Sequence, residues 1–246
     1  MVVETRDEVT RVRVPETGFV LGVRYGGSAR FTDDNSRIPD FSLVGVSRHA
    51  RPMRTSSNGA VLLARFHPAG AARVFGNRLH EFFGLTESLD SLFPLSELDR
   101  LQSRVEEASS DSQRVAILES FLLQHSERDS DELVQHALRV LRDEPEMRIR
   151  ELAQQVGLSH DAFEKRFRRE VGCTPKQFVS LTRVHSVLNA RRPGTSFTQL
   201  ALDAGYFDQP HFNREFRNVI GVSPGEYFRP SPQPSPVKRE RGNAAV

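Results

Sequence analysis

The sequence predicts an α+β protein in which a small mixed, β-rich N-terminal unit precedes a helical connector and an all-α C-terminal domain. Three observations carry this prediction. Short apolar runs separated by turns fill residues 18–67, apolar residues take a helical period after Ser96, and a helical segment between Leu152 and Phe228 occurs twice. The predicted boundaries are 1–95 for the β-rich unit, 96–128 for the connector, 129–229 for the C-terminal domain and 230–246 for a proline-rich, disordered tail.

Strand patterns dominate the start of the chain. Residues Gly18–Phe31 indicate a strand, a turn at Gly26 and Gly27 and a second short strand, and Phe41–Val46 indicates another. The segment Gly59–His67 is the strongest strand candidate, apolar enough to be buried on both faces. Residues 1–16 are polar and charged, so we expect a flexible lead or an edge strand.

Two short helices are predicted between the strands and the connector. Pro68 is placed at the start of the first, where its missing N–H costs nothing, and Gly76 is placed at its end. A second short helix is expected over Leu79–Phe83, and this unit is expected to end near Pro94.

Helical periodicity then continues into the C-terminal domain. Two helices fit the connector, the second opening after Ser110 and Asp111, and a third opens after Ser130 and Asp131. Their inward residues are predicted to be Leu98, Leu101 and Val105, then Val115, Leu118 and Leu122, then Leu133, Ala137, Val140 and Leu141.

An internal repeat organises the C-terminal domain. The first copy runs from Leu152 to Phe178 and the second from Leu200 to Phe228. The matched residues are Leu152 with Leu200, Ala153 with Ala201, Gly157 with Gly205, Ser159 with Asp208, Phe163 with Phe212, Phe167 with Phe216, Gly172 with Gly221, Pro175 with Pro224 and Phe178 with Tyr227. The offset rises from 48 to 49 after the glycine, so one extra residue falls in the turn of the second copy.

Each copy has the features of a helix-turn-helix. In the first, a helix over Arg150–Val156 ends at Gly157, and the Ser159 hydroxyl caps a second helix. Phe163 and Phe167 are four residues apart and share the buried face of that helix. Two helices joined by a tight glycine turn are typical of DNA-binding modules. The sequence therefore predicts two such modules, joined by a long helix over roughly Pro175–Asn189.

The outward faces of the second helices are the candidate DNA-reading surfaces. At about 100° per residue, the predicted base-facing side chains are Asp161, Glu164, Lys165 and Arg168 in the first module and Gln209, Pro210, Asn213, Arg214 and Arg217 in the second. Arginine pairs with guanine, and asparagine or glutamine with adenine, whereas an acid accepts from cytosine but repels phosphates. The second module is therefore expected to be the stronger sequence reader.

Contacts with the DNA backbone are expected beside these faces. The predicted phosphate contacts are Ser159, Arg166, Arg169 and Arg183. The joining helix sets the separation of the two reading helices, which should be about 34 Å if both enter one face of a duplex.

The tandem pattern resembles the C-terminal domain of the AraC/XylS family of bacterial transcription regulators. The resemblance covers roughly residues 130–228 and is densest in GYFDQPHFNREFRNVIGVSPGEYF. It implies a seven-helix domain that contacts two successive major-groove segments, usually with promoter activation through RNA polymerase. The base-facing residues that it implies are Asp161, Glu164, Lys165, Gln209, Pro210, Asn213 and Arg214. Pro210 stands where the family often has a polar residue, so any base contact there would be apolar.

The N-terminal unit carries a weaker resemblance. The segment RFHPAGAARVFG is similar to part of the short β-rich domains that precede this DNA-binding domain in uncharacterised members. Such a domain is expected to sense an effector or to dimerise. Two alternatives remain. In one, the protein is an enzyme or a small-molecule-binding protein and the helical domain is an accessory. In the other, the N-terminal unit only dimerises or binds a partner protein.

Composition restricts the remaining classes. The formal net charge is +2, and Cys173, the single cysteine, excludes an intrachain disulfide and aligns with Val222, which favours a packed apolar role. The eight histidines show no paired metal-ligand spacing, so no metal and no cofactor are expected. No apolar run is long enough to span a bilayer and no signal-peptide core is present, so a cytoplasmic protein without a membrane partner is expected.

These observations predict a sequence-specific DNA-binding transcription regulator, with activation favoured, and not an enzyme. It would read two successive major-groove segments with helices near residues 160–170 and 208–218. The expected partners are double-stranded DNA, RNA polymerase, a small-molecule effector and a second copy of the chain. The alternative is an effector-binding or protein-interaction module whose DNA-binding domain is used for repression.

Overall fold

The computed structural model describes residues 1–126, 129–192 and 194–229. The predicted α+β fold class is confirmed, because a β-rich N-terminal region precedes a helical C-terminal region. The predicted disordered tail, 230–246, lies outside the described residues.

The described residues form eight strands, ten α-helices and two short 3₁₀ turns, Leu79–Phe82 and Leu89–Ser91. The strands are β1 (Val2–Thr5), β2 (Val9–Arg13), β3 (Val20–Gly26), β4 (Ala29–Phe31), β5 (Phe41–Val44), β6 (Arg51–Thr55), β7 (Gly59–Arg65) and β8 (Thr86–Ser88). The helices are α1 (Ala71–Phe75), α2 (Leu95–Glu107), α3 (Asp111–Gln124), α4 (Glu132–Asp143), α5 (Ile149–Gln155), α6 (His160–Val171), α7 (Pro175–Ala190), α8 (Phe197–Asp203), α9 (Gln209–Ile220) and α10 (Pro224–Tyr227).

The strands form two antiparallel sheets. One has five strands in the order β1-β7-β3-β5-β8, and the other has three in the order β2-β6-β4. Leu21 on β3 pairs with Leu43 on β5 and with Ala64 on β7, and Leu21 and Leu43 are fully buried. The core of the N-terminal region therefore lies against the middle of the larger sheet.

The strand predictions hold in part. The two strands predicted within Gly18–Phe31 are present, but β3 and β4 belong to different sheets. Residues 1–16 contain β1 and β2, which are edge strands of the two sheets. Within β7, Leu62 is buried while Val61 and Leu63 are only half-buried, so the prediction of burial on both faces was too strong. Strands β6 and β8 were not predicted, because they are short and mostly polar and form through pairing with neighbours.

The short helices after β7 also differ slightly from the prediction. Helix α1 begins at Ala71, so Pro68 lies in the preceding turn instead of the first helical turn. Gly76 ends α1 with a φ of 74°, as its position predicts. The predicted second helix is a 3₁₀ turn over Leu79–Phe82.

The two helices predicted as a connector pack against the five-stranded sheet. The Gln102 side chain donates to the Arg24 carbonyl oxygen over 3.2 Å, and the Arg114 guanidinium lies 4.7 Å from the centroid of the Tyr25 ring. Val105 on α2 is fully buried. Helices α2 and α3 therefore extend the N-terminal core.

The C-terminal helices begin at the caps that the sequence predicts. The Asp131 carboxylate accepts the backbone N–H groups of Leu133 and Val134 at the start of α4. One continuous cluster of buried apolar residues joins the larger sheet, α2, α3 and both repeated modules. Among the helices in the described ranges, none combines the length and apolar character needed to cross a membrane.

Candidate nucleic-acid interface

The first helix-turn-helix module consists of α5, a glycine turn and α6. Gly157 has a φ of +73°, a left-handed conformation that glycine adopts without strain, and it ends the first helix. The Ser159 hydroxyl accepts the Ala162 N–H over 3.3 Å and caps α6. Phe163 and Phe167 are fully buried. The same residues that build the module therefore fix which face of α6 points outward.

The second module repeats this construction with α8 and α9. Gly205 has a φ of +76°, and the Asp208 carboxylate accepts the His211 N–H over 2.6 Å. Phe212 and Phe216 are fully buried, like their counterparts in the first module. Pro210 lies in the first turn of α9, where no backbone hydrogen bond is lost.

The outward face of α6 is mixed in charge and lies next to the N-terminal region. Asp161, Lys165 and Arg168 are exposed, and Glu164 is half-buried. These side chains and Arg169 line a groove whose other wall contains Arg78, His80 and Glu81. A nucleic acid that approached α6 would therefore also meet the 3₁₀ turn of the N-terminal region.

The outward face of α9 is open and carries no acidic residue among its predicted contacts. Pro210, Asn213, Arg214 and Arg217 are exposed. Gln209 differs, because it is half-buried and its side-chain oxygen accepts the Thr198 hydroxyl over 2.7 Å. The structure thus places four of the five predicted residues on one accessible surface and ties the fifth to α8.

Acidic and aromatic side chains stabilise one flank of α9. The buried Tyr206 hydroxyl donates to Glu215 over 3.1 Å, and His211 lies 3.7 Å from the same carboxylate. Burial, together with the neighbouring Glu215 carboxylate, raises the pKa of Tyr206, so the phenol stays protonated and can donate. Glu215 is therefore a structural acid, and helix geometry places it on the flank of α9 opposite to Arg217.

Two of the four predicted phosphate contacts have other partners. Arg166 donates to Asp131 over 2.5 and 3.1 Å, and Arg183 donates to the Pro145 carbonyl oxygen over 2.6 Å with its guanidinium above the Tyr206 ring. In this structure both side chains therefore join separate segments of the C-terminal domain, and phosphate contact by Arg166 and Arg183 stays a prediction. Ser159 is exposed at the head of α6 while it serves as the cap, and Arg169 is exposed.

The Asp131 carboxylate connects α4 with α6, the second helix of the first module. Burial alone raises the pKa of Asp131, but hydrogen bonds from Arg166 and from the backbone N–H groups of Val134 and Leu133 outweigh it and lower that pKa. The ionised form of Asp131 is therefore the one that the fold stabilises.

The N-terminal region packs on the C-terminal end of α6. Gly172 ends α6 with a φ of +88°, and a Cβ atom there would lie 2.5 Å from the Phe19 ring and 3.3 Å from the Leu79 carbonyl oxygen. Phe19 is fully buried. Cys173 is also buried, and burial raises the pKa of its thiol to about 12, in agreement with the predicted packed role.

A second N-terminal segment caps the far end of α9. His49 Nδ1 donates to the Asn218 carbonyl oxygen over 2.6 Å, and the Ala50 N–H donates to the Val219 carbonyl oxygen over 2.7 Å. The N-terminal region therefore contacts both α6 and α9. Sequence reasoning missed these contacts and the Phe19 contact, because no local pattern marks residues that meet only after the fold closes.

Comparisons with known proteins agree with this geometry. The profile of a helix-turn-helix domain family matches residues 134–230. The HTH-type transcriptional regulator MtrA of Neisseria gonorrhoeae is 28% identical over 100 residues, which cover 39% of this chain and 33% of MtrA. The transcriptional regulator MxiE of Shigella flexneri is 29% identical over 99 residues, which cover 40% of this chain and 47% of MxiE. The matched stretch thus spans less than half of each relative.

Solved structures show a wider likeness in fold. The 1.65 Å structure of ToxT from Vibrio cholerae covers 92% of this chain and 96% of its own, with a TM-score of 0.50 and 12% identity. At that identity the likeness shows the fold alone. The helix-turn-helix family profile, by contrast, covers the repeated modules and names the type of domain. The chain therefore carries, over residues 134–230, a helix-turn-helix domain of the AraC type.

Proposed function

We propose that this chain is a transcription regulator that binds specific double-stranded DNA sequences through both helix-turn-helix modules. One observation carries the proposal: α6 and α9 rest on equivalent buried phenylalanines but present exposed faces of different chemistry. The equivalent phenylalanines are enough to build two similar modules. Recognition of two different DNA segments also needs the difference between the exposed faces. The relatives are named as regulators, and we propose no enzymatic activity.

The second module is the stronger candidate for base recognition. Asn213, Arg214 and Arg217 are exposed together on α9, and each can donate hydrogen bonds to base edges. On α6, Asp161 and Glu164 bring negative charge close to the phosphates, which weakens binding to any duplex. We therefore assign most of the sequence preference to α9.

The arrangement also predicts an asymmetric DNA site. Helix α7 has 16 residues and is about 24 Å long, and it contacts elements of both modules. Because the two reading faces differ, one chain distinguishes the two ends of its site.

Activation through RNA polymerase, a second copy of the chain and a cytoplasmic location stay predictions. The division at residues 95, 128 and 229 also stays a proposal.

Regulation by a small-molecule effector is supported by the contacts of the N-terminal region. The region packs on Gly172 at the end of α6 and caps α9 through His49 and Ala50. A ligand that favours one position of the N-terminal region would therefore change how both recognition helices are presented. The same coupling would serve either activation or repression of transcription, so it does not favour one of them.

Removal of one base-facing arginine tests the proposed function. We expect Arg214→Ala to weaken binding to the cognate duplex by about 1–3 kcal/mol and to relax the preference at one base pair, with little change on random DNA. Fluorescence anisotropy with cognate and scrambled duplexes measures both effects. Arg104→Ala is the matched control, because Arg104 is exposed on α2 beside the N-terminal sheet. Equal losses on both duplexes would contradict base reading by Arg214.

A further inference from the structure

The extra residue of the second module can be located from backbone hydrogen bonds. In both modules the turn closes with the same two bonds, at 2.9–3.0 Å. The donors and acceptors are Gly157 with Gln154 and Leu158 with Ala153 in the first module, and Gly205 with Leu202 and Tyr206 with Ala201 in the second. The caps follow at Ser159 and Asp208. Phe207 is therefore the residue that has no counterpart in the first module.

The Phe207 side chain points into solvent and is 90% exposed. An apolar residue before a helix cap often packs on the fourth residue of that helix, which here is Phe212. That position is already surrounded, because the Phe212 ring contacts Tyr206, Phe197 and Phe216 at centroid distances of 5.3, 6.4 and 5.6 Å. Phe212 therefore has other aromatic partners, and the exposed Phe207 ring lies outside the core of the module.

Phe207 stands at the head of the second recognition helix. It precedes the Asp208 cap, and the exposed Pro210 follows in the first turn of α9. Residues at the N-terminus of a recognition helix are the ones that reach base edges in the major groove. Neither Phe207 nor Pro210 has a side-chain group that can hydrogen-bond to a base. Phe207 and Pro210 therefore place two apolar side chains at this end of α9, beside the Asp208 cap, and they differ from the hydrogen-bonding side chains of Asn213 and Arg214.

The chemistry of the major groove identifies what an apolar side chain can recognise there. Thymine presents a C5-methyl group, which is the one apolar group among the base edges of that groove. We propose that Phe207 is an additional base-reading residue that packs on the C5-methyl of a thymine in the segment bound by α9. The inference rests on the proposed function, since it requires α9 to enter the major groove. It gives the second module a specificity element that the first lacks.

Replacement of thymine by deoxyuridine tests this contact directly. Deoxyuridine keeps base pairing but lacks the methyl group. A cognate duplex is first selected from random DNA with the full chain, and each thymine of the α9 segment is then replaced singly. We expect one replacement to weaken binding of the unaltered protein about fourfold, the factor for burial of one methylene-sized group. Phe207→Ala should bind the thymine and deoxyuridine duplexes equally.

Leu123→Ala is the control variant, because Leu123 is an exposed apolar residue on α3 and should retain the fourfold ratio. Both substitutions remove exposed side chains, so both variants are expected to fold. If no single replacement weakens the unaltered protein, or if Phe207→Ala keeps the same ratio, the contact is refuted while specific binding stands. If selection enriches no sequence, the proposed function fails and the contact fails with it.

Discussion

The two cap glycines of the recognition helices allow a matched test of how the N-terminal region is docked. Gly172 and Gly221 occupy equivalent positions at the ends of α6 and α9, with φ angles of +88° and +92°. An alanine at Gly172 would place its Cβ 2.5 Å from the buried Phe19 ring, whereas an alanine at Gly221 would meet no atom within 4 Å among the described residues. The two substitutions therefore share a backbone cost but differ in the contact with the N-terminal region.

The expected magnitudes follow from these two effects. A side chain in the left-handed conformation costs about 1–2 kcal/mol, and this cost applies to both variants. Forcing a methyl group into a packed site costs a further amount of about 1–3 kcal/mol. Gly221→Ala should therefore lower the free energy of unfolding by about 1–2 kcal/mol and Gly172→Ala by about 2–5 kcal/mol.

Urea denaturation of the full chain and both variants measures this difference. A larger loss for Gly172→Ala supports a firm contact between Phe19 and the end of α6. Equal losses in the two variants would refute the docking of the N-terminal region on the first recognition helix.

The remaining predictions concern three charged residues near the interface. Arg169→Ala should reduce the slope of log K against log salt concentration by about 1, since Arg169 is exposed beside the α6 face, whereas Arg183→Ala should leave that slope unchanged. Arg183→Ala should instead lower the free energy of unfolding by about 1–3 kcal/mol, because the Pro145 carbonyl oxygen loses its donor. A flatter salt slope for Arg183→Ala would contradict this expectation and support a phosphate contact by Arg183. Asp131→Asn keeps a good helix cap but removes the charge that Arg166 stabilises. The pKa of Asp131 is lowered in the folded state, so its ionic contribution is present at neutral pH and is lost as the pH falls below the ordinary carboxyl pKa of about 3.9. Urea denaturation from pH 7 to pH 3 measures the difference in the free energy of unfolding between the unaltered protein and Asp131→Asn. This difference should shrink as the pH falls. A difference independent of pH would contradict this role for Asp131.

The helical modules could be predicted from the sequence because their determinants are local. The glycine turn, the cap and the two phenylalanines follow each other along the chain at Gly157, Ser159, Phe163 and Phe167, each within about one helical turn of the next. Each feature restricts the backbone or the buried face by itself, and their repetition at Asp208, Gly205, Phe212 and Phe216 confirmed the pattern. Local rules therefore also defined the outward faces.

Long-range contacts give individual side chains partners that the sequence did not predict. Arg166 is tied to Asp131, 35 residues earlier in the chain, and His49 contacts the Asn218 carbonyl oxygen across 169 residues. A sequence pattern shows that an arginine points away from the core, but it does not show which partner occupies its guanidinium. The same reason explains why the separation of β3 and β4 into two sheets was missed.

The outward position of Phe207 also required the structure. The repeat alignment places one extra residue in the second turn, but it does not show whether that residue packs inside or extends outward. The exposed ring decides the question, and it adds a second apolar side chain, next to Pro210, to a surface that also exposes Asn213, Arg214 and Arg217.

The central claim is that one chain reads two different DNA segments with α6 and α9. Selection of binding sites from random duplex DNA with the full chain, followed by sequencing, tests it most directly. The predicted result is a pair of short, non-identical boxes in a fixed order, with centres about one helical turn or 34 Å apart. The absence of any enriched sequence, or a single box without a partner at that spacing, would contradict the claim.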